Sequence, residues 1–394
     1  MDNHDAKLLV VDDTADDRRA LTMLLELEGY ANVTTAKGGF EALELLQVHF
    51  FDLVFLDVMM PGVSGCQILE QLQTEGKLTN LPVIVTSEIG EFESAMHCIT
   101  LGAEACLLKP VNPLLLKDKM NSSLERKFLR DRLNARLARI ETELDDARQL
   151  QLSMMPAVFP LPTRERPIEI FGIAEPAREL GGDLYDFYYR DDGRLCFIIG
   201  DVSDKGVPAA LFMARTKDVV RLVSTVFRST ILNGASPAEI ICRVNHELCL
   251  DNSACMFVTL FLGVIDTQSG ELEFCNAGHN SPYLLHGAGG VTQVLGAKGP
   301  PIGVRSRSNY EGGQLRLDFG DGLFLFTDGV TDATNEQGDF FKEERLEQLL
   351  HSHLVMGPEA VISATMTAIR DFRRTASPAD DITMLALRRL LISS

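Results

Sequence analysis

Three carboxylates, a hydroxyl and a lysine stand where short apolar runs of the N-terminal third give out: Asp12 and Asp13 after "KLLVV", Asp57 after "LVFL", Ser87 after "LPVIVT" and Lys109 after "CLL". Brought together, Asp12, Asp13 and Asp57 would repel one another. A divalent cation is their natural neutraliser, and one carboxylate would be left open to accept a phosphoryl group whose charge Lys109 could pair. A second acidic set recurs further on. Asp183 and Asp186 in "GGDLYD", Asp201 in "GDVS", Asp328 in "TDG", and Asp380 with Asp381 in "ADDIT" each flank an apolar run at a turn. Gathered at one point, such carboxylates suit two hard cations, Mg2+ or Mn2+, about 3.5–4 Å apart, with a bridging water that is nucleophilic at neutral pH.

The runs that end in these residues are the elements that must position them. In the N-terminal third, apolar strands alternate with amphipathic stretches at 18–29 and 39–47. That alternation predicts a βα repeat and a doubly wound parallel sheet, which takes its ligands at the carboxyl ends of its strands. From Leu116 to Met155 there is neither Gly nor Pro, and Leu133, Leu137, Ile140, Leu144 and Ala147 step by alternating fours and threes. This is a heptad seam on a long helix, which suits either a coiled coil with a second copy of the chain, the preferred reading, or a rigid solvated spacer. Beyond Pro156, strand-like runs ("IEIFGIAEPA", "LCFIIGDVS", "FVTLFLGVID", "LEFCNAGHN", "GLFLFTDGV") mix with helical runs at 208–228, 236–250, 342–352 and 358–373. An antiparallel sandwich with helices outside is expected. The predicted divisions are 1–120, a helical linker over 121–155, and 156–394.

Composition sets the outer bounds. A chain of 394 residues that is 45% apolar needs more than one core. A formal charge of −19 provides no positive field for phosphate backbones, so nucleic acid is not an expected partner. The eight cysteines show no C-x-x-C pair and lie mostly inside apolar runs, which predicts reduced thiols as in a cytoplasm. No apolar run is long enough to span a membrane, and "MDNHDAK" has no signal-peptide character.

In order and spacing, "VVDD", "DLVFLDVMMPGVSG", Ser87 and "LLKP" resemble the receiver domain of two-component response regulators over 7–120. The resemblance implies that Asp57 is the phosphoacceptor, that Asp12 and Asp13 bind Mg2+ with Asp57, that Ser87 follows the phosphoryl group, that Lys109 contacts it, and that Pro110 follows a cis bond. It also implies a histidine kinase or phosphotransfer donor as partner. Glu88 stands where that family has a small residue, and Cys106 where a switch aromatic is common.

Further on, "PARELGGDLYDF", "GDVSDKGVPAALFMA", "NAGHNSPYLL", "FLFTDGVTDATN" and "DDITMLAL" together resemble the PPM-family Ser/Thr phosphatases of the SpoIIE and RsbU type, and "ARQLQLSMMP" resembles the approach to that domain. The resemblance implies an α/β/α sandwich with antiparallel sheets. In it Asp183 and Asp201 bridge two Mg2+ or Mn2+ ions, the Val202 carbonyl ligates one, and Asp328 with Asp380 or Asp381 completes the other. Asp380 is preferred, because the family motif often reads Asp-Asn. Activated water would attack phosphorus in line. Asp204 replaces the usual Gly, Arg178 is the nearest candidate to hold substrate phosphate, and His279 is expected to be structural.

The whole order, receiver then long helix then PPM domain, resembles RssB-type response regulators. It implies a phosphatase under receiver control that acts on a phosphoserine anti-sigma-factor antagonist in general-stress signalling. The alternative is a non-catalytic adaptor that binds the stress sigma factor and delivers it to a AAA+ protease, or one that only sequesters its partner.

Overall fold

The computed structural model describes residues 5–190, 192–226, 235–296 and 298–391. Two compact units divide between Glu141 and Thr142.

In the first unit, β1 (Leu8–Val11), α1 (Ala15–Leu27), β2 (Val33–Ala36), α2 (Gly39–Val48), β3 (Leu53–Asp57), α3 (Gly65–Thr74), β4 (Val83–Ser87), α4 (Phe92–Thr100) and β5 (Ala105–Leu108) alternate, and α5 (Pro113–Ser153) follows. The strands are all parallel, in the order β2-β1-β3-β4-β5. Their apolar runs are unbroken because successive residues feed different cores. Leu8 and Val10 join Leu21 and Leu25 of α1 and Leu116, Met120 and Leu124 of α5. Leu9 and Val11 join the face covered by α2, α3 and α4. The Lys109-Pro110 bond is cis.

Helix α5 begins three residues ahead of the sequence reading. The Asn112 side chain accepts hydrogen bonds from the Leu114 and Leu115 backbone N–H groups at 3.0 and 3.3 Å, with Pro113 in the first helical position. Its seam is open to solvent: Leu133, Leu137 and Ile140 are 55%, 49% and 43% exposed.

The second unit contains β6 (Ile168–Glu175), β7 (Leu184–Tyr189), β8 (Leu195–Val202), α6 (Val207–Val226), α7 (Pro237–Cys249), β9 (Val258–Ile265), β10 (Glu271–Ala277), β11 (Tyr283–Leu285), β12 (Val291–Gln293), β13 (Lys298–Gly299), β14 (Gly313–Arg316), β15 (Gly322–Phe326), α8 (Lys342–Ser352), α9 (Pro358–Arg373) and β16 (Ile382–Arg389). The last two residues of the helical run read at 208–228 lie outside the described residues. One sheet has the order β13-β10-β9-β8-β7, with β14 also on β10, and the other β12-β11-β15-β16-β6. Every pairing is antiparallel except the short β10–β13 contact.

Alternation along the strands builds the layers. Phe197, Phe261 and Phe274 point between the sheets, stacked at centroid distances of 6.3 and 5.4 Å, and share that core with Leu323, Leu325, Leu385 and Leu387. The intervening residues face outward. Ile198, Leu260 and Leu262 pack on α6 and α7, and Phe324, Phe326 and Met384 on α8 and α9. The result is a two-sheet sandwich clad by helices on both sides. Among the described residues no helix is long and apolar enough to cross a membrane, and all eight cysteines are free.

Candidate functional site

The parallel sheet delivers its polar strand ends to one edge. Asp12 and Asp13 follow β1, Asp57 and Ser87 close β3 and β4, and Lys109 follows β5. Asp12, Asp13 and Asp57 each bring a carboxylate oxygen within 4.8 Å of the other two; among the described residues no other three Asp, Glu, His or Cys do so. That spacing, with two of the carboxylates buried and Asp13 exposed, fits one hard divalent cation with room for water ligands.

Lys109 reaches into the same cluster, with its Nζ 2.6 Å from Asp57, 2.7 Å from Asp12 and 3.1 Å from Asp17. Burial lifts the Asp57 carboxyl to about 6 even though Lys109 pulls the other way. Burial also disfavours the charge on Lys109, but its hydrogen bonds to Asp12 and Asp57 prevail and hold the ammonium above its ordinary value. Gly65 sits under the strand end, where a Cβ would lie 2.3 Å from the Asp57 carbonyl oxygen. Ser87 is fully buried, and its Oγ lies 3.5 Å from Sγ of Cys106, which fills the space beside the hydroxyl. Asp17 was not singled out in the sequence, although the repeated acid pair in "DDTADD" was a signal for it.

In the second unit, the edge where the two sheets meet holds Asp183 before β7, Asp201 near the end of β8, Asp328 after β15, and Asp380 and Asp381 before β16. Asp183 is 5% exposed and accepts a hydrogen bond from the Thr327 hydroxyl at 2.7 Å. Burial, then the charges of Asp201 and Asp381, push its carboxyl far up. Asp201 is pushed up to about 7 by burial, then by Asp328 and Asp380. Asp328 is raised by burial, then by Asp380. Three carboxyls raised by burial and by their acidic neighbours call for cationic neutralisation.

The adjacent aspartates differ in what they touch. Asp381 is 8% exposed and both its oxygens are taken, by the N–H groups of Ala177 and Gly182 at 2.7 Å each. Asp380 is more open and pairs with Lys205 at 2.8 Å, which also donates to the Ala379 carbonyl at 2.8 Å. Glycines permit the closeness. A Cβ at Gly181 would meet Asp381 Oδ2 at 2.7 Å, one at Gly182 the Val202 carbonyl oxygen at 2.9 Å, and one at Gly329 the Asp381 carbonyl oxygen at 1.9 Å.

The Gln151 side chain, near the end of α5, donates to the Gly181 carbonyl at 2.6 Å and accepts from the Gly181 N–H at 3.2 Å, tying the helix end to the turn that carries Asp183. Sequence reading gave Gln151, Lys205 and Thr327 no role, although "ARQLQLSMMP" and "SDKG" were in view.

Asp186 is a correction. Three residues beyond Asp183, it projects from β7 to the opposite side, where it is 1% exposed and held by Lys217 and Arg221 of α6 at 3.4 and 3.1 Å. Odd spacing along a strand inverts the face, so Asp186 cannot join the cluster. His279 is 2% exposed, its Nδ1 lies 2.9 Å from the Thr259 hydroxyl, and burial drives it down to about 3, so the ring is neutral and structural. Asp204 sits at φ 76°, a left-handed conformation that favours glycine. Arg178 is exposed, next to Ala177.

Comparison with known proteins agrees with this division. The family model for the response regulator receiver domain matches residues 8–121, and that for stage II sporulation protein E (SpoIIE) matches 191–390, half of the chain. Protein IcfG of Synechocystis is 32% identical over 267 residues, spanning 63% of this chain and 41% of that protein, so this chain matches less than half of IcfG's length. The phosphoserine phosphatase RsbU of Bacillus subtilis is 26% identical, spanning 64% of this chain and 71% of that one. The SiaA-PP2C domain of Pseudomonas aeruginosa shares the fold of the second unit with a TM-score of 0.55 at 23% identity, over 64% of this chain and 98% of that one. The chain belongs to the SpoIIE family, with its PP2C-like domain carried behind a response-regulator receiver domain.

Proposed function

We propose that this chain is a response regulator in which phosphorylation of Asp57 controls a metal-dependent Ser/Thr protein phosphatase in the second unit. The observation that carries the reading is the meeting of Asp183, Asp201, Asp328 and Asp380 at one sheet edge, where burial and mutual repulsion raise three of their carboxyls. A purely binding surface has no use for such a concentration of like charge.

In this reading Asp183, Asp201, the Val202 carbonyl, Asp328 and Asp380 hold two Mg2+ or Mn2+ ions, and Asp381 orients the turn through Ala177 and Gly182. Bound metal would supply charge neutralisation and a water acidic enough to attack phosphorus in line. Arg178 holds the substrate phosphate, and Lys205 gives up Asp380 as the site fills. In the receiver, Asp12, Asp13 and Asp57 hold Mg2+, and Lys109 turns to the phosphoryl group, with Ser87 following. The likeness to RsbU supports a phosphoserine protein as substrate, an anti-sigma-factor antagonist in stress signalling, and a histidine kinase or phosphotransfer donor as the source of phosphate. The exposed seam of α5 supports a homodimer through the helix.

The test is Mn2+-dependent hydrolysis of a phosphoserine protein by the full chain and by Asp328→Ala, with and without beryllofluoride on Asp57. Metal-dependent turnover that vanishes in Asp328→Ala is expected, and the beryllofluoride effect gives the sign of control. Folded protein that turns over nothing with any divalent metal would put the sigma-factor adaptor in its place.

A further inference from the structure

A cleft of about 780 Å³ is lined among others by Cys249, Asn252, Phe257, Val304, Arg305 and Arg307. Its Phe257 is hydrogen-bonded to the turn that follows Asp201. Ser203, two residues past Asp201, donates its N–H to the Phe257 carbonyl at 2.8 Å, and its Oγ accepts from the Phe257 N–H at 3.0 Å. On the other side of β9, Ile302 bridges Val258, so the chain from Gly303 onward emerges at the same sheet end as the Asp201 turn. Two strand spacings, about 10 Å, separate the two backbones.

The loop after Ile302 is braced. Asn245, fully buried, donates to the Arg305 carbonyl at 2.7 Å and accepts from the Gly303 N–H at 2.9 Å. Asn252 donates to the Gly303 carbonyl at 3.1 Å and to the Met256 carbonyl at 2.6 Å. The backbone is thus fixed, while the side chains of Arg305 and Arg307 are exposed and, among the described residues, make no ion pair. Both guanidinium groups are therefore free to pair with carboxylates outside the chain.

We propose that Arg305 and Arg307 select the protein substrate by pairing with carboxylates that flank its phosphoserine. This rests on the phosphatase reading and names the substrate class it takes. An extended peptide advances about 3.3 Å per residue, so a phosphoserine at the Asp201 cluster places residues two to four positions away over the arginines. Val304 and Phe257, 53% and 37% exposed, give the intervening side chains an apolar floor. Guanidinium is suited to such planar, bidentate recognition.

The test uses the full chain and fluorescein-labelled phosphoserine peptides with Asp, Asn or Lys at positions two to four from the phosphoserine. Affinity is read by anisotropy with metal chelated, so that nothing is hydrolysed. Exposed pairs change affinity a few-fold each, and two give a preference for the Asp peptide over the Asn peptide of about tenfold, or about 1.4 kcal/mol. That preference is expected to vanish in Arg305→Ala/Arg307→Ala and to pass to the Lys peptide in Arg305→Glu/Arg307→Glu. No preference in the wild type, or an equal one in the variants, overturns the proposal. Metal-dependent hydrolysis of p-nitrophenyl phosphate, expected to be unchanged in the Ala pair, reports separately on the phosphatase reading; its absence from the wild type overturns that reading.

Discussion

Replacing Gln151 by alanine removes both partners of the Gly181 peptide group at once. Gln151 is 5% exposed, and the Gly181 N–H and carbonyl that it satisfies are themselves buried. Each group left without a partner costs about 1–2 kcal/mol, for a total of about 3 kcal/mol. In a unit of this size that lowers the melting temperature by roughly 6–12 °C. The damage is also local. Gly182, the next residue, gives its N–H to Asp381, and Asp183 follows, so the loosened turn carries part of the acidic cluster with it. Differential scanning calorimetry of the full chain, with and without Mn2+, should show the second transition falling and the Mn2+-dependent gain shrinking. Gln151→Glu, which keeps the acceptor and loses the donor, should fall between. Gln149→Ala, on an exposed position of the same helix, is the control and should move by less than about 0.5 kcal/mol. A Gln151→Ala melting temperature equal to that of Gln149→Ala would refute the coupling of helix end to turn.

Four further outcomes are expected. Asp381→Asn should lose about 1–3 kcal/mol, because an amide cannot accept from both Ala177 and Gly182, whereas Asp380→Asn should leave stability nearly unchanged and weaken Mn2+ binding in titration calorimetry; equal loss of metal by both would refute the division of roles. Asp204→Gly should raise stability by about 0.5–1 kcal/mol in urea melts by relieving its positive φ, and a fall would show that the side chain contributes more than the backbone costs. The depressed His279 means that the unfolded chain binds the extra proton below its ordinary value, so the contribution of His279 to stability declines as pH falls from 6.5 toward 3, by about 1.4 kcal/mol per unit; the difference in stability between the wild type and His279→Asn in urea melts should change by that slope between pH 6.5 and 5, and a difference independent of pH would refute it. Leu133→Lys/Leu137→Lys should convert a dimer to a monomer in sedimentation without lowering either melting transition, since neither residue belongs to a core; an unchanged mass removes the helix as the dimer contact.

Much of this was legible because strand ends speak through two signals at once. Leu53 to Leu56 read as a buried run and Asp57 as its polar terminus, and both follow from the same requirement that a doubly covered strand be apolar until its end meets the polar edge of the sheet. The helices at 342–352 and 358–373 matched their periodicity to the residue, the second opened by Gly357-Pro358. In "GGDLYDFYY" the acids interrupt the apolar run, which hides strand β7 and makes Asp186 look like a companion of Asp183 although the two face opposite sides. Residues such as Gln151, Lys205 and Thr327 left no trace in the local pattern, because their partners lie 30 to 174 positions away and no periodicity encodes a long-range hydrogen bond. At Asp204 the replacement of the usual glycine stands out in the sequence as an added charge, and its left-handed backbone is what the structure adds.

The packing of Gly181, Gly182 and Gly329 against Asp381 and Val202 also bears on how such a protein can change over time. No larger side chain fits at those three positions without displacing a carboxylate or the carbonyl beside it. Substitution there therefore disturbs the acidic cluster, most severely at Gly329, where the added carbon would lie 1.9 Å from the Asp381 carbonyl oxygen. The loop that bears Arg305 and Arg307 is held by its backbone alone, through Asn245 and Asn252, so its outward side chains can be exchanged freely while the frame stays put. On the proposed reading, a tightly packed acidic centre is thus separated from a readily rewritten rim, and duplicated copies would acquire new clients by drift at the rim alone.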